Sequence, residues 1–263
     1  MSEDKLIDVK SWFEYFPNEL IIDKYTANQI MSLEKIKDVY NSLTYGRICI
    51  DNLFLENPGY LIDEDMSKSG RSVIKSTIMN NCLSYYNYCI DYSWQVLWLY
   101  YNTVDKSYFN SMDKYIEFME KCNLKKLKKL LINKDEKQLC KHIEAFFNNN
   151  NKVKTIRKKY NTIKHRGFYH IEGLGENYKE SIISIDGKRL PLLHREEIDL
   201  NKLKEELIEF DNLFVKYFEV IIDKVVPSEI KDGSCREMTL EDVIARRNDL
   251  LKLVENEKLN SKK

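Results

Sequence analysis

The sequence predicts an all-α protein: a multi-helix bundle around one long central helix, with a small β-hairpin inserted late in the chain. Three observations predict it. No proline occurs between Pro58 and Pro191 and no glycine between Gly70 and Gly167, so nearly a hundred residues run without either strong helix breaker. Within that run Ile74, Ile78, Cys82, Tyr85, Cys89, Val96 and Tyr100 form an i, i+4, i+7 ladder. Beyond it, "SIISIDGKRLPLL" alternates apolar residues around Asp186-Gly187, the signature of a tight hairpin.

The elements follow in order. Residues 1–70 hold Pro17, Gly46, Pro58 and Gly59, and read as an irregular and helical N-terminal segment packed on the bundle, with one short helix near 28–43. Residues 71–227 read as the bundle itself. Its central helix, 72–103, carries Leu83, Ile90, Trp94, Leu97 and Trp98 around most of its circumference, as a helix surrounded by others requires. Shorter helices are expected at about 108–121, 123–132 and 136–147. The asparagine run 148–151, rich in capping residues, separates them from a helix that starts near Lys152 and stops at Gly167. After the hairpin, a long amphipathic helix runs from its cap Asp199 to Pro227, with Leu200, Leu203, Leu207, Phe210, Phe214, Tyr217, Ile221 and Val225 on one face. Residues 228–263 read as a C-terminal helical appendage, with a helix over 239–257 opening at Thr239 and Asp242.

Composition excludes several function classes. A hydrophobic fraction of 43% with 12% aromatics is globular, and the most apolar stretch, 92–104, is shorter than the roughly 20 residues of a bilayer span. No membrane association is expected. Six cysteines form no CxxC pair and the charged start "MSEDKLIDVK" is not a signal peptide, which predicts a reducing, cytoplasmic setting. Cys140 and His142 lack companions for a tetrahedral metal site, and no phosphate loop, dinucleotide fingerprint, HExxH or GxSxG is present. Neither metal nor cofactor is predicted.

The formal net charge is zero, but its distribution is uneven. Between residues 121 and 166 fifteen Lys and Arg face three acids, so the remainder of this neutral chain carries the compensating negative charge. A short basic segment in an otherwise acidic molecule is the footprint of a polyanion partner, RNA above all. The run "KKLKKLL" also fits the plain solvated face of an amphipathic helix.

The stretch "IRKKYNTIKHRGFYHIEGLG" (156–175) concentrates that charge beside two histidines. At 100° per residue, Val153, Ile156, Tyr160 and Ile163 form the inward stripe of its helix. Arg157, Asn161, Lys164 and His165 stand beside that stripe and are expected to face one cleft. Their chemistry suits phosphate esters: an imidazole, with an ordinary pKa of about 6.5, exchanges protons near neutrality, while Arg and Lys hold phosphate and offset added negative charge. Asn161 suits orienting the imidazole or binding a ribose. Lys154, Lys158, Lys164 and His170 complete the expected RNA-binding set, with Arg166 beside the histidine. The same residues also fit a simple basic helix end that favours the macrodipole. His142 and His194 read as structural or surface residues.

The string Asn161-x-x-Lys164-His165-Arg166-Gly167, placed after a long apolar helix and before a hairpin and another long helix, resembles the HEPN superfamily of helical domains. The likeness spans roughly residues 70–226. It implies a metal-independent endoribonuclease, acting as a toxin or in phage defence (abortive infection), with a composite site across a homodimer and an antitoxin or other regulatory partner. By this resemblance His165 takes the catalytic histidine position and Asn161 the polar position. Tyr160 stands where the motif carries arginine, so Arg157, one turn earlier, or Arg166 is expected to supply the guanidinium. Two rival readings remain: a non-catalytic RNA- or nucleotide-binding module, and a helical protein-interaction subunit.

Overall fold

The computed structural model describes residues 6–15, 25–58, 61, 66–102, 111–148, 150–167, 169–171, 182–191, 196–232 and 252. A 3-10 turn, Lys10–Tyr15, precedes helices α1 (Ala27–Phe54), α2 (Lys68–Tyr101), α3 (Met112–Glu120), α4 (Leu124–Asn133), α5 (Lys137–Asn148) and α6 (Asn151–Arg166). Short strands β1 (His170–Ile171), β2 (Ile182–Ile185), β3 (Lys188–Pro191) and β4 (Glu197–Ile198) follow, then α7 (Leu200–Val225) and α8 (Ser228–Lys231). The expected all-α bundle with a hairpin insertion is what forms. The helix expected over 239–257 lies outside the described residues, apart from residue 252, and so does His194.

α2 is the central rod. From Ser93 to Leu99 all but one of its side chains are buried, because α1, α4, α6 and α7 close around it. α1 runs antiparallel along it, as three side-chain hydrogen bonds to main-chain carbonyls show: Asn28 Nδ2 to Leu99 (3.0 Å), Ser32 Oγ to Val96 (3.0 Å) and Lys75 Nζ to Leu53 (2.9 Å). The short helix expected near 28–43 is therefore a correction. Thr26 and Gln29 start it with a reciprocal capping box, and it continues through Gly46 to Phe54. Gly46 is a point of close approach here, not a breaker: a Cβ on it would stand 3.1 Å from the ring of buried Tyr86.

Three distant segments are pinned at one buried carboxylate. Asp211 of α7, fully buried, accepts two hydrogen bonds from Arg47 of α1 (2.6 and 2.9 Å) and one from the Tyr86 hydroxyl of α2 (2.9 Å). Arg47 also donates to the Ile7 carbonyl (2.9 Å), and the Ile7 amide donates to Asn212 (3.0 Å), which fastens the N-terminal stretch. Around this clamp pack Phe210, Phe214, Phe218, Trp12 and Phe146. The α7 ladder is buried from Leu203 to Val225 as its period requires, and Asp199 caps the helix through the amides of Asn201 and Lys202.

The hairpin pairs β2 with β3 antiparallel, Ile185 opposite Lys188. Its turn takes positive φ at Asp186 (50°) and Gly187 (73°), the primed geometry that matches strand twist.

Candidate functional site

The basic helix α6 is held in one rotation about its axis. Asn150 caps it through the amides of Lys152 (2.9 Å) and Val153 (3.4 Å), while Val153 and Ile156 are buried against the core. Lys152–Glu209 (2.7 Å) and Lys159–Glu206 (3.0 Å) tie it to α7. At its end Gly167 takes φ 109°, ψ 178°, a conformation open essentially to glycine alone, which ends the helix sharply. The chain then enters a two-residue parallel bridge, β1 with β4, closed by the His170 amide on the Glu196 carbonyl (3.0 Å).

This rotation turns one face of α6 into an open groove of about 730 Å³. Lys154, Arg157, Lys158, Asn161, His165 and Arg166 line it, with Phe147 and Asn148 from the end of α5 as the opposite wall. Two expected members are not in it. Lys164 was expected in the shared cleft, but it sits 100° of helical turn from His165 and nearer the core stripe, where its charge acts on Asp91 of α2. His170 is half-buried in the β1 bridge.

Arg157 is engaged from within the protein. Its guanidinium meets the Asp91 carboxylate (3.3 Å), lies 4.7 Å from the Phe147 ring centroid and 5.4 Å from that of Trp94. Asn87 donates to the other Asp91 oxygen (3.3 Å). Burial pushes the Asp91 carboxyl above the usual range, and Arg157 and Lys164 work against that rise. Asp91, Trp94 and Phe147 are the residues that sequence reasoning missed. Asp91 lies 66 positions from Arg157, and nothing in local periodicity links them. The one available signal was a charged residue within the apolar run of the central helix.

Lys154, Lys158 and Arg166 are exposed and form no ion pair with a described carboxylate. His165 is exposed, and no described residue hydrogen-bonds its ring; Asn161 in particular does not orient it. Of the two roles open to Asn161, contact with an incoming ligand is therefore the one this geometry favours. The groove thus offers three cations without a described acidic partner, an accessible imidazole and an amide along one helix face. It can hold a phosphodiester and exchange a proton with a neighbouring hydroxyl.

The other candidates resolve into structure. His142 hydrogen-bonds the Tyr217 carbonyl through Nε2 (3.0 Å) and stacks on the Tyr217 ring. Burial pushes the Cys122 thiol up to about 12 and raises that of Cys140, which suppresses thiolate chemistry at both. Among the described residues no helix is long and apolar enough to cross a membrane. Compared with protein-family models, curated proteins and solved structures, the chain has no significant match.

Proposed function

We propose that the protein is a metal-independent endoribonuclease of HEPN type, working in the cytoplasm as a toxin or in phage defence. The observation that carries this reading is the convergence of Arg157, Asn161, His165 and Arg166 with Lys154 and Lys158 on one open groove. In the proposed reaction the His165 imidazole accepts the proton of a ribose 2′-hydroxyl, whose oxygen attacks the adjacent phosphorus. The P–O5′ bond breaks, the 5′ oxygen takes up a proton from an imidazolium, and a 2′,3′-cyclic phosphate remains. Arg157 and Arg166 offset the charge that builds on the phosphoryl oxygens, and Lys154 and Lys158 hold flanking phosphates. One chain supplies a single such histidine to the groove. The HEPN resemblance places the second in a homodimer, with an antitoxin or another regulator as a further partner.

The test is incubation of purified protein with mixed-sequence RNA in EDTA, beside His165→Ala. Cleavage that leaves 2′,3′-cyclic ends and vanishes in the variant supports the enzyme; full activity in His165→Ala removes the mechanism. A second reading, a non-catalytic RNA-binding module, is favoured by the engagement of Arg157 with Asp91 and by Tyr160 in the motif's arginine position. RNA bound without being cut decides for it.

A further inference from the structure

Five tyrosines from three helices meet outside the groove. Tyr45 of α1 contacts Tyr85 (ring centroids 5.4 Å apart), Tyr85 contacts Tyr88 (6.2 Å), and Tyr88 contacts both Tyr92 (6.1 Å) and Tyr160 of α6 (6.4 Å). Tyr45 is 50% exposed and Tyr88 37%, so the strip faces solvent in the middle of two long helices, where bundle packing alone would select small polar or charged residues.

The charges around the strip are not balanced. Two described carboxylates beside it are engaged, Asp38 with Lys35 (2.6 Å) and Asp91 with Arg157. Lys35 also lies over the Tyr92 ring (5.1 Å). Lys164, one helical turn beyond Tyr160, is exposed and makes no ion pair with a described residue. The strip also adjoins the groove. Arg157 lines the groove and pairs with Asp91, which stands between Tyr88 and Tyr92 on α2, so the two surfaces share the Arg157–Asp91 pair as a common edge.

We propose that this tyrosine strip is a stacking track for the bases of single-stranded RNA, leading into or out of the groove on α6. This rests on the RNA reading given above and adds to it where the strand runs. Neutral aromatic rings beside cations that outnumber the local carboxylates, here Lys35, Arg157 and Lys164 against Asp38 and Asp91, are what a sequence-tolerant single-strand binder presents, because every base offers a π face while its phosphate needs a positive charge alongside. A second copy of this chain is the less complementary occupant. Self-association here would bring two copies of Lys164 into one interface, while the Asp38 and Asp91 carboxylates that come with them are already paired to Lys35 and Arg157.

The experiment measures fluorescence anisotropy of a labelled RNA of about 20 nucleotides, with all proteins in a His165→Ala background so that the RNA stays intact. Tyr45→Ala and Tyr88→Ala should each weaken binding about tenfold, the equivalent of one stacked base at ~1.4 kcal/mol. Tyr88→Phe, which keeps the ring, should bind as the parent does, and thermal melting of every variant separates lost stacking from lost folding. Unchanged affinity in folded Tyr45→Ala and Tyr88→Ala, with Lys158→Ala still weakened, overturns the track and leaves the groove reading standing. Absence of binding by the parent overturns both. Sedimentation that changes from dimer to monomer in Tyr88→Ala reassigns the face to self-association and overturns the proposal.

Discussion

The groove reading makes a quantitative prediction about salt. Each phosphate neutralised by a protein cation releases condensed counterions, so log K falls against log salt with a slope of about −0.7 per contact for a single strand. Lys154, Lys158 and Arg166 line the groove without a described acidic partner, whereas Arg157 already holds Asp91 and would exchange one anion for another. Three contacts give a slope near −2, or about a twentyfold loss of affinity between roughly 0.05 and 0.2 M salt. Lys158→Ala should flatten the slope to about −1.4. Arg157→Gln should change it less than Lys158→Ala does, despite removing an equal formal charge. Anisotropy titrations of an RNA of about five nucleotides, in EDTA and a His165→Ala background, read these slopes directly. A parent slope shallower than about −1, or one that Lys158→Ala leaves unchanged, refutes the assignment of phosphate contacts to this helix face.

Further outcomes follow from the fold. Asp211→Ala leaves Arg47 and the buried Tyr86 hydroxyl without their acceptor and should cost about 3–5 kcal/mol, seen as a melting midpoint lower by roughly 10 °C. Replacing the pair by Arg47→Met with Asp211→Leu should cost much less, and equal losses in the two variants would contradict the clamp as described. Gly167→Ala meets no neighbouring atom, so its cost is backbone strain alone, about 1–3 kcal/mol by chemical denaturation; an unchanged unfolding midpoint would be the contrary result. Cys122 should react with iodoacetamide at pH 8 about a thousandfold more slowly than an ordinary cysteine, with the rate climbing tenfold per pH unit until its thiol titrates. Peptide mass mapping at several pH values checks this, and a rate equal to that of free cysteine at pH 8 would contradict it.

How much was legible in the sequence depends on how local the cause is. The α6 face could be laid out from helical pitch alone, so Arg157, Asn161 and His165 were found together. A rotation of 100° separates His165 from Lys164, and pitch alone does not say where along that arc the groove wall of α5 stops. A cap within the asparagine run 148–151, the cap at Asp199 and the Asp186-Gly187 turn were readable because each acts within a few residues, and the structure assigns the first to Asn150. α1 was foreshortened for the same reason: glycine reads as a breaker until Tyr86, forty positions away, is seen against it. The Arg47–Asp211 pair and the Asp91–Arg157 pair span 164 and 66 positions, and no single-sequence periodicity encodes which charges will meet. The tyrosine strip escaped notice likewise. Tyr85, Tyr88 and Tyr92 look like ordinary helix spacing until α1 and α6 bring Tyr45 and Tyr160 to them.

The enclosure of α2 has a dynamic consequence. Amide protons there can be reached by solvent only if the surrounding helices depart, and α1 and α7 are both tied to α2 at the Asp211 carboxylate, with α1 held further by Asn28, Ser32 and Lys75. Deuterium uptake along residues 86–99 should then report the opening of the whole molecule, while the final turn of α6, beside His165, should take up label through local fraying many times sooner.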